Sequence, residues 1–231
     1  MYDRTKLGVL ILSSEVPEVQ ATLVGVHKTA QDRSRKSRDE FIESGFILLK
    51  DMRFSDLTVS GLAKHCGRSV GAFYKRFEDK EGFFRALQFA AVERNQKIIR
   101  ARLADAPLAN LSAAEVLNAL VDTLSDIFSS EVRGVLRESL LRVREPEDGW
   151  APMRDSGRVI QQTVVDRLKS EYPHLSEADA ERKLRFCYQI VVGVLQNDLV
   201  NDFHTFSTKD KSISTALKAT VNDHMMSPSR Y

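Results

Sequence analysis

A chain of 231 residues, 42% hydrophobic and 29% charged, can bury a core, exceeds a minimal binding module and is not composed like a disordered segment. It has no apolar run near the ~18 residues a membrane span requires, and Cys66 and Cys187 lie too far apart for a disulfide framework, so a cytoplasmic protein with no membrane association is expected. The net charge of +2 hides an asymmetry: residues 33–102 carry +7, from 16 Lys and Arg against 9 Asp and Glu, while residues 103–231 carry −4, as expected where one basic part meets a polyanion.

Residues 1–33 show no period. Gly8, Pro17 and Gly25 interrupt scattered Val and Leu, and the run Leu7 to Leu12 stops at Ser13, Ser14 and Glu15 without a small-residue cleavage site. The segment reads as an arm rather than a signal peptide. From Ser34 the period is helical, with Phe41, Ile42, Gly45, Phe46, Leu48 and Leu49 on one face. Ser37, with Glu40 three residues on, has capping-box spacing and is the predicted N-cap. Two short helices follow. Thr58 caps the first, whose apolar face is Val59, Leu62 and Ala63, and Gly67 ends it where a left-handed residue is cheapest. Ser69 caps the second, with Ala72, Phe73 and Phe77 apolar. A longer helix starts near Lys80, carries Phe83, Phe84, Leu87, Ala90 and Ala91 as its stripe, and runs toward Leu103 before Pro107 breaks the pattern.

Further helices are predicted from Ser112, with Val116, Leu117, Leu120, Leu124, Ile127 and Phe128 inward, and from Val132 to Val143, ended by Pro146. Another covers Trp150 to Glu171, stopped by Pro173. Ser176 with Asp179 opens the longest C-terminal helix, to about Phe203, and a last one spans Lys209 to Met225. No segment alternates with turn chemistry, so the fold class is all-α.

Two short helices joined by a tight turn with glycine have the size of a helix-turn-helix, in which the first helix braces the second in the major groove of DNA. Ser69, Val70, Gly71, Lys75 and Arg76 are the outward positions of the second helix, small at its start and basic at its end. Small residues permit close approach to the phosphate backbone; Lys75 and Arg76 can reach phosphates or guanine edges, and the Tyr74 hydroxyl can donate to a phosphate. Lys75 and Arg76 can also form a solvated face, which is the favoured reading for Arg76 taken alone, and Tyr74 can be a half-buried anchor as well as a donor.

The residues Leu57-Thr58-Val59, Leu62-Ala63, Gly67, Ser69, Gly71, Phe73-Tyr74, Phe77 and Asp79-Lys80-Glu81 resemble the DNA-binding signature of TetR-family transcriptional regulators, over about residues 38–84. The resemblance implies a homodimer on a double-stranded operator, a repressor more often than an activator, released when a small, largely apolar ligand enters the C-terminal body. It divides the chain into the arm (1–33), a three-helix DNA-binding head (34–80) and a larger helical domain for ligand binding and dimerisation (81–231). It implies phosphate contacts from Thr58, Tyr74 and Lys80, which Ser69 at the second cap joins, and base contacts from Ser60, Val70, Ala72 and Lys75. Two positions depart from the pattern: Arg53 stands where the family has glycine, so the first helix is expected to end differently, and Arg68 stands at an apolar position of the turn, from which it is expected to swing out to a phosphate.

In the body, Phe128, Trp150 and Met153 are candidates for a ligand cavity, though each equally serves plain core packing. The helix from Ser176 is apolar on more than one face, so it is either central in a monomer or buried against another chain; of the two, a dimer interface built by Ile190, Gly193, Val194, Leu195 and, on the last helix, Leu217 is favoured. His65 beside Cys66 has no second ligand at metal spacing, and His174 reads as a loop residue. A DNA-binding protein of the same fold governed by a protein partner or by no ligand, an all-α adaptor and an enzyme are the other readings. Against the enzyme stands the lack of a phosphate loop, nucleophile elbow, metal cluster or purposeful carboxylate pair, so no catalytic residue, metal or cofactor is expected.

Overall fold

The computed structural model describes residues 32–142, 151–201, 205–208 and 210–228, and no strand occurs among them. Helix α1 spans Asp32–Asp51, and a 3-10 turn follows at Phe54–Asp56. The next two helices are short: α2 is Val59–His65 and α3 is Val70–Tyr74. Helix α4 is Lys80–Leu103, α5 is Asp105–Leu108, α6 is Ala113–Ser129 and α7 is Arg133–Leu141. The last three are α8 (Ala151–Leu168), α9 (Glu177–Asn201) and α10 (Ser212–Met226).

The predicted all-α class holds, and most boundaries fall where local chemistry placed them. Ser112 caps α6 through a full capping box with Glu115, satisfying two backbone donors that the first turn leaves free. Ser176 accepts from the Asp179 backbone N–H at 3.1 Å at the start of α9. One boundary is a correction. The first helix begins at Asp32, so Ser37 lies inside it rather than at its cap, and its buried hydroxyl has no partner among the described residues. Arg35, Lys36 and Arg38 are good helix formers and carry the helix through the serine.

The chain divides into two units. One contains the described residues of 17–94 and 131–152; the other contains 95–130 and the described residues from 153 onward. The first is the head, α1 to α3 with the start of α4, and it includes α7, which comes some eighty residues after α1. Gly134 allows that packing: a Cβ there would lie 2.1 Å from the Leu49 carbonyl oxygen at the end of α1. The second unit, the body, is built on α6, α9 and α10, which pack on one another. Its core holds Val116, Leu120 and Leu124 of α6, Leu184, Val191 and Leu195 of α9, and Leu217 and Val221 of α10. Each such side chain contributes roughly 1.5–3 kcal/mol on burial.

Lys183 is buried in this core to 1% exposure without a carboxylate partner among the described residues. Its ammonium instead donates to the carbonyls of His224, at 2.7 Å, and Ser227. A cation on the free carbonyls at the end of α10 meets both their hydrogen-bonding need and the negative end of the helix dipole. His174 is a loop residue, as expected, and its Nε2 lies 3.1 Å from the Met225 carbonyl beside the same helix end.

Candidate nucleic-acid interface

The head is organised around phenylalanines. Phe73, the buried residue of α3, lies 5.6 Å from Phe41, 5.1 Å from Phe77 and 5.7 Å from Phe83 between ring centroids, mostly edge to face. A five-residue helix cannot hold itself together, so α3 exists because this cluster and its caps fix it. Thr58 Oγ1 accepts from the Gly61 N–H at 3.0 Å and Ser69 Oγ from the Ala72 N–H at 3.1 Å, so both predicted N-caps form. Gly67 is left-handed, at φ 62°. The Arg68 N–H returns to the Ala63 carbonyl at 2.8 Å and the Gly67 N–H to that of Lys64 at 3.1 Å, which together make a Schellman turn between the two helices.

This framework turns one face outward. Ser69, Val70, Gly71, Tyr74 and Lys75 are exposed, with Val70 at 40% and Tyr74 at 50%, and Thr58 and Ser60 are exposed on α2; Ala72 is half-buried. The ammonium groups of Lys64 and Lys75 make no ion pair or hydrogen bond among the described residues.

Three other cations of the head are held internally. Arg68 does not swing out: its guanidinium pairs with Glu40 of α1 at 2.6 Å, because that carboxylate lies within reach of the turn. Arg76 folds back on its own helix and donates to the Ala72 carbonyl at 2.7 Å. Lys80 donates to the Ser55 carbonyl at 3.1 Å and lies over the Phe54 ring, 4.5 Å from its centroid, where burial draws its pKa below the ordinary lysine value. Lys80 therefore braces the segment that leads into α2.

Arg53 is extended, at φ −82°, so the departure from glycine costs no left-handed strain and the helix does end differently. Its side chain reaches α7. Arg53 Nε donates to Glu138 at 2.8 Å; Arg137 pairs with the same carboxylate at 3.2 Å and donates to the carbonyls of Leu49 at 3.0 Å and Met52 at 2.7 Å. Glu138 is 3% exposed, and the two arginines supply the charge that its burial requires. Gln88 of α4 donates to Ser139 at 3.0 Å beside them. Periodicity does not bring Arg137, Glu138 or Ser139 to the head, because the pairing of Glu138 with Arg53 joins positions 85 apart. Asp79 was also missed as a cap: its carboxylate accepts from the Gly82 N–H at 2.6 Å at the start of α4.

Residues 41–87 match the family model described as bacterial regulatory proteins, tetR family. The family match falls on the head, from within α1 to within α4. Over these residues the helix-turn-helix of the head is similar to the DNA-binding part of that family. No curated protein sequence matches the chain. Solved structures share the fold at low identity. A Rhodococcus sp. protein described as a TetR-family transcriptional regulator is 16% identical, with 82% of this chain and 99% of that one covered, at a TM-score of 0.61. A transcriptional regulator from Aquifex aeolicus VF5 is 12% identical, with 80% and 98% covered and a TM-score of 0.56. The superantigen PfiT is 18% identical, with 81% and 95% covered, at 0.60. That last likeness shows why the fold alone does not assign a TetR-family function and the head signature must.

The body corrects the sequence reading of the interface between protomers. Leu195, at 0% exposure, and Leu217 lie inside the chain's own core, where no second copy can meet them. Helix α9 is apolar on two sides: Leu184, Cys187, Val191 and Leu195 face α6 and α10, whereas Phe186, Gly193 and Val194 face outward and Ile190 is half-buried. Phe128 and Met153 are buried in the body, and Trp150 lies outside the described residues. Burial pushes the Cys187 thiol up to about 12 and raises that of Cys66, whose Sγ donates to the Leu62 carbonyl. No group of three His, Cys, Asp or Glu is placed to hold a metal, and no helix is long and apolar enough to cross a membrane, among the described residues.

Proposed function

We propose that this chain is a cytoplasmic, homodimeric transcriptional repressor that grips operator DNA through the outward face of α2 and α3 and releases it when a small, largely apolar ligand enters the body. One observation carries the reading. The helix-turn-helix is fixed from within by Phe73, two side-chain caps and the Gly67 turn, while Val70, Tyr74 and Lys75 stay exposed. Thr58, Ser69 and Tyr74 hold phosphates, joined by Lys80 from the flank; Ser60, Val70, Ala72 and Lys75 read bases.

A helix-turn-helix dimer binds half-sites about 34–36 Å apart, so two heads are required. The outward stripe of α9, Phe186, Ile190, Gly193 and Val194, is where a second copy packs. A ligand in the body is supported by the buried Asn95 amide oxygen and the Thr123 and Ser125 hydroxyls, which lack partners among the described residues. Buried polar atoms without partners are costly, and a bound molecule carrying one or two polar groups relieves that cost. The ligand acts only through different affinities for two states of the dimer.

Footprinting the chain on its own promoter against non-specific competitor tests the DNA function; protection of a two-fold repeat is expected, and uniform retardation of every duplex refutes it. A thermal-shift screen of apolar metabolites tests the ligand: a compound that stabilises the chain and weakens the footprint is expected. A footprint that answers only to a protein from the cell assigns control to a partner instead.

A further inference from the structure

We infer that Val70 and Gly71 form a thymine-reading surface, in which the missing side chain at Gly71 lets the first residues of α3 sink toward the base edges and the Val70 methyls pack on a thymine methyl. The inference rests on the DNA-reading function proposed above and names the chemistry that this face prefers.

Gly71 is the starting observation. It lies inside a helix, where glycine is less stable than alanine by about 1 kcal/mol. Nothing among the described residues calls for it. Its φ is not left-handed, unlike that of Gly67, and an added Cβ would meet only Ser69 Oγ, at an ordinary 3.9 Å. Gly61 is a contrast on the preceding helix, since a Cβ there would press on Thr58 Oγ1 at 2.9 Å. The space at Gly71 therefore faces outward, toward whatever the head binds.

Val70 adjoins that space and is 40% exposed. A single exposed valine is ordinary; its place is not, because the first residues of the second helix are those that meet base edges in the major groove. The chemistry available there is nearly free of charge. Arg68 is held by Glu40, Arg76 by the Ala72 carbonyl and Lys80 by the Ser55 carbonyl, which leaves Lys75, at the far end of α3, as the recognition helix's cation with no partner among the described residues. Ser69 spends an acceptor site on its cap. What remains at the start of α3 is an aliphatic surface beside a gap, and the base-pair feature that such a surface distinguishes in the major groove is the C5-methyl of thymine.

The test uses the full-length chain. Duplexes are selected from a random pool, and each thymine of the recovered half-site is replaced by deoxyuridine, which removes the methyl and keeps the pairing. At one position affinity is expected to fall about four-fold, the loss for one buried methyl group, and Val70→Ala is expected to erase the difference between thymine and deoxyuridine there. No thymine with such an effect, or an effect unchanged in Val70→Ala, overturns the inference while leaving DNA binding intact. A pool that yields no enriched sequence overturns the DNA-reading function itself. Gly71→Ala separates packing from recognition: it is expected to raise the melting temperature and to weaken binding to all selected sequences. Unchanged affinity would overturn the part assigned to Gly71.

Discussion

Tyr74 serves the head with both ends of its side chain. Its ring meets the edge of Phe73, 5.3 Å between centroids, while half of its surface stays in solvent, where the hydroxyl can donate. On the proposed reading Tyr74→Phe keeps the ring contact and loses one hydrogen bond to a charged phosphate oxygen, worth about 1.5–3 kcal/mol. Affinity should therefore drop at least about ten-fold on every sequence alike, with the melting temperature unmoved. Gel-shift titrations on operator and random duplex would show this; a loss confined to the operator would make Tyr74 a base reader. Arg68 and Lys80 carry the complementary lesson. Arg68 pairs its charge with Glu40, and Lys80 gives one of its N–H donors to the Ser55 carbonyl while keeping its charge, so both shape the head before any DNA arrives.

At the scale of elements, the connection between α1 and α2 is held from several sides. Arg137 takes the Met52 carbonyl, Glu138 takes Arg53, Lys80 takes the Ser55 carbonyl, and Phe54 packs on Phe84 at 4.6 Å between centroids. Helix α7 supplies two of these contacts because Gly134 lets it approach the end of α1 backbone to backbone. Gly134→Ala puts a methyl into the Leu49 carbonyl, and no flexible side-chain end is there to yield. A loss of about 3 kcal/mol is expected, measured by urea denaturation, together with weakened DNA binding as the connection loosens. A denaturation curve matching the parent protein would show that α7 docks in some other way.

For the whole molecule, α9 has one face for its own core and an outward face that, on the proposed reading, takes a second copy. Val194→Arg places a charge on the outward face, 38% exposed in the single chain, and is expected to yield a folded monomer with a melting curve like that of the parent at equal subunit concentration, apart from any stabilisation that pairing had added. Leu195→Arg, one residue on, buries the charge in the core and is expected to unfold the body. Light scattering and circular dichroism together separate the two. A dimer that survives Val194→Arg would move the interface off this stripe.

Local chemistry wrote much of this protein legibly into its sequence. The caps Thr58, Ser69 and Ser112, the turn at Gly67 and the phenylalanine spacing of the head depend on neighbours within a few positions, and all appear where periodicity and side-chain type put them. The regulator signature was legible for the same reason, being a run of adjacent residues. Tertiary structure alone decided that α7 joins the head, that Arg53, Arg68 and Lys80 point at internal partners, and which apolar face of α9 turns inward. Those outcomes depend on groups that come together across tens of residues, and neither helical period nor residue type carries the distance between them.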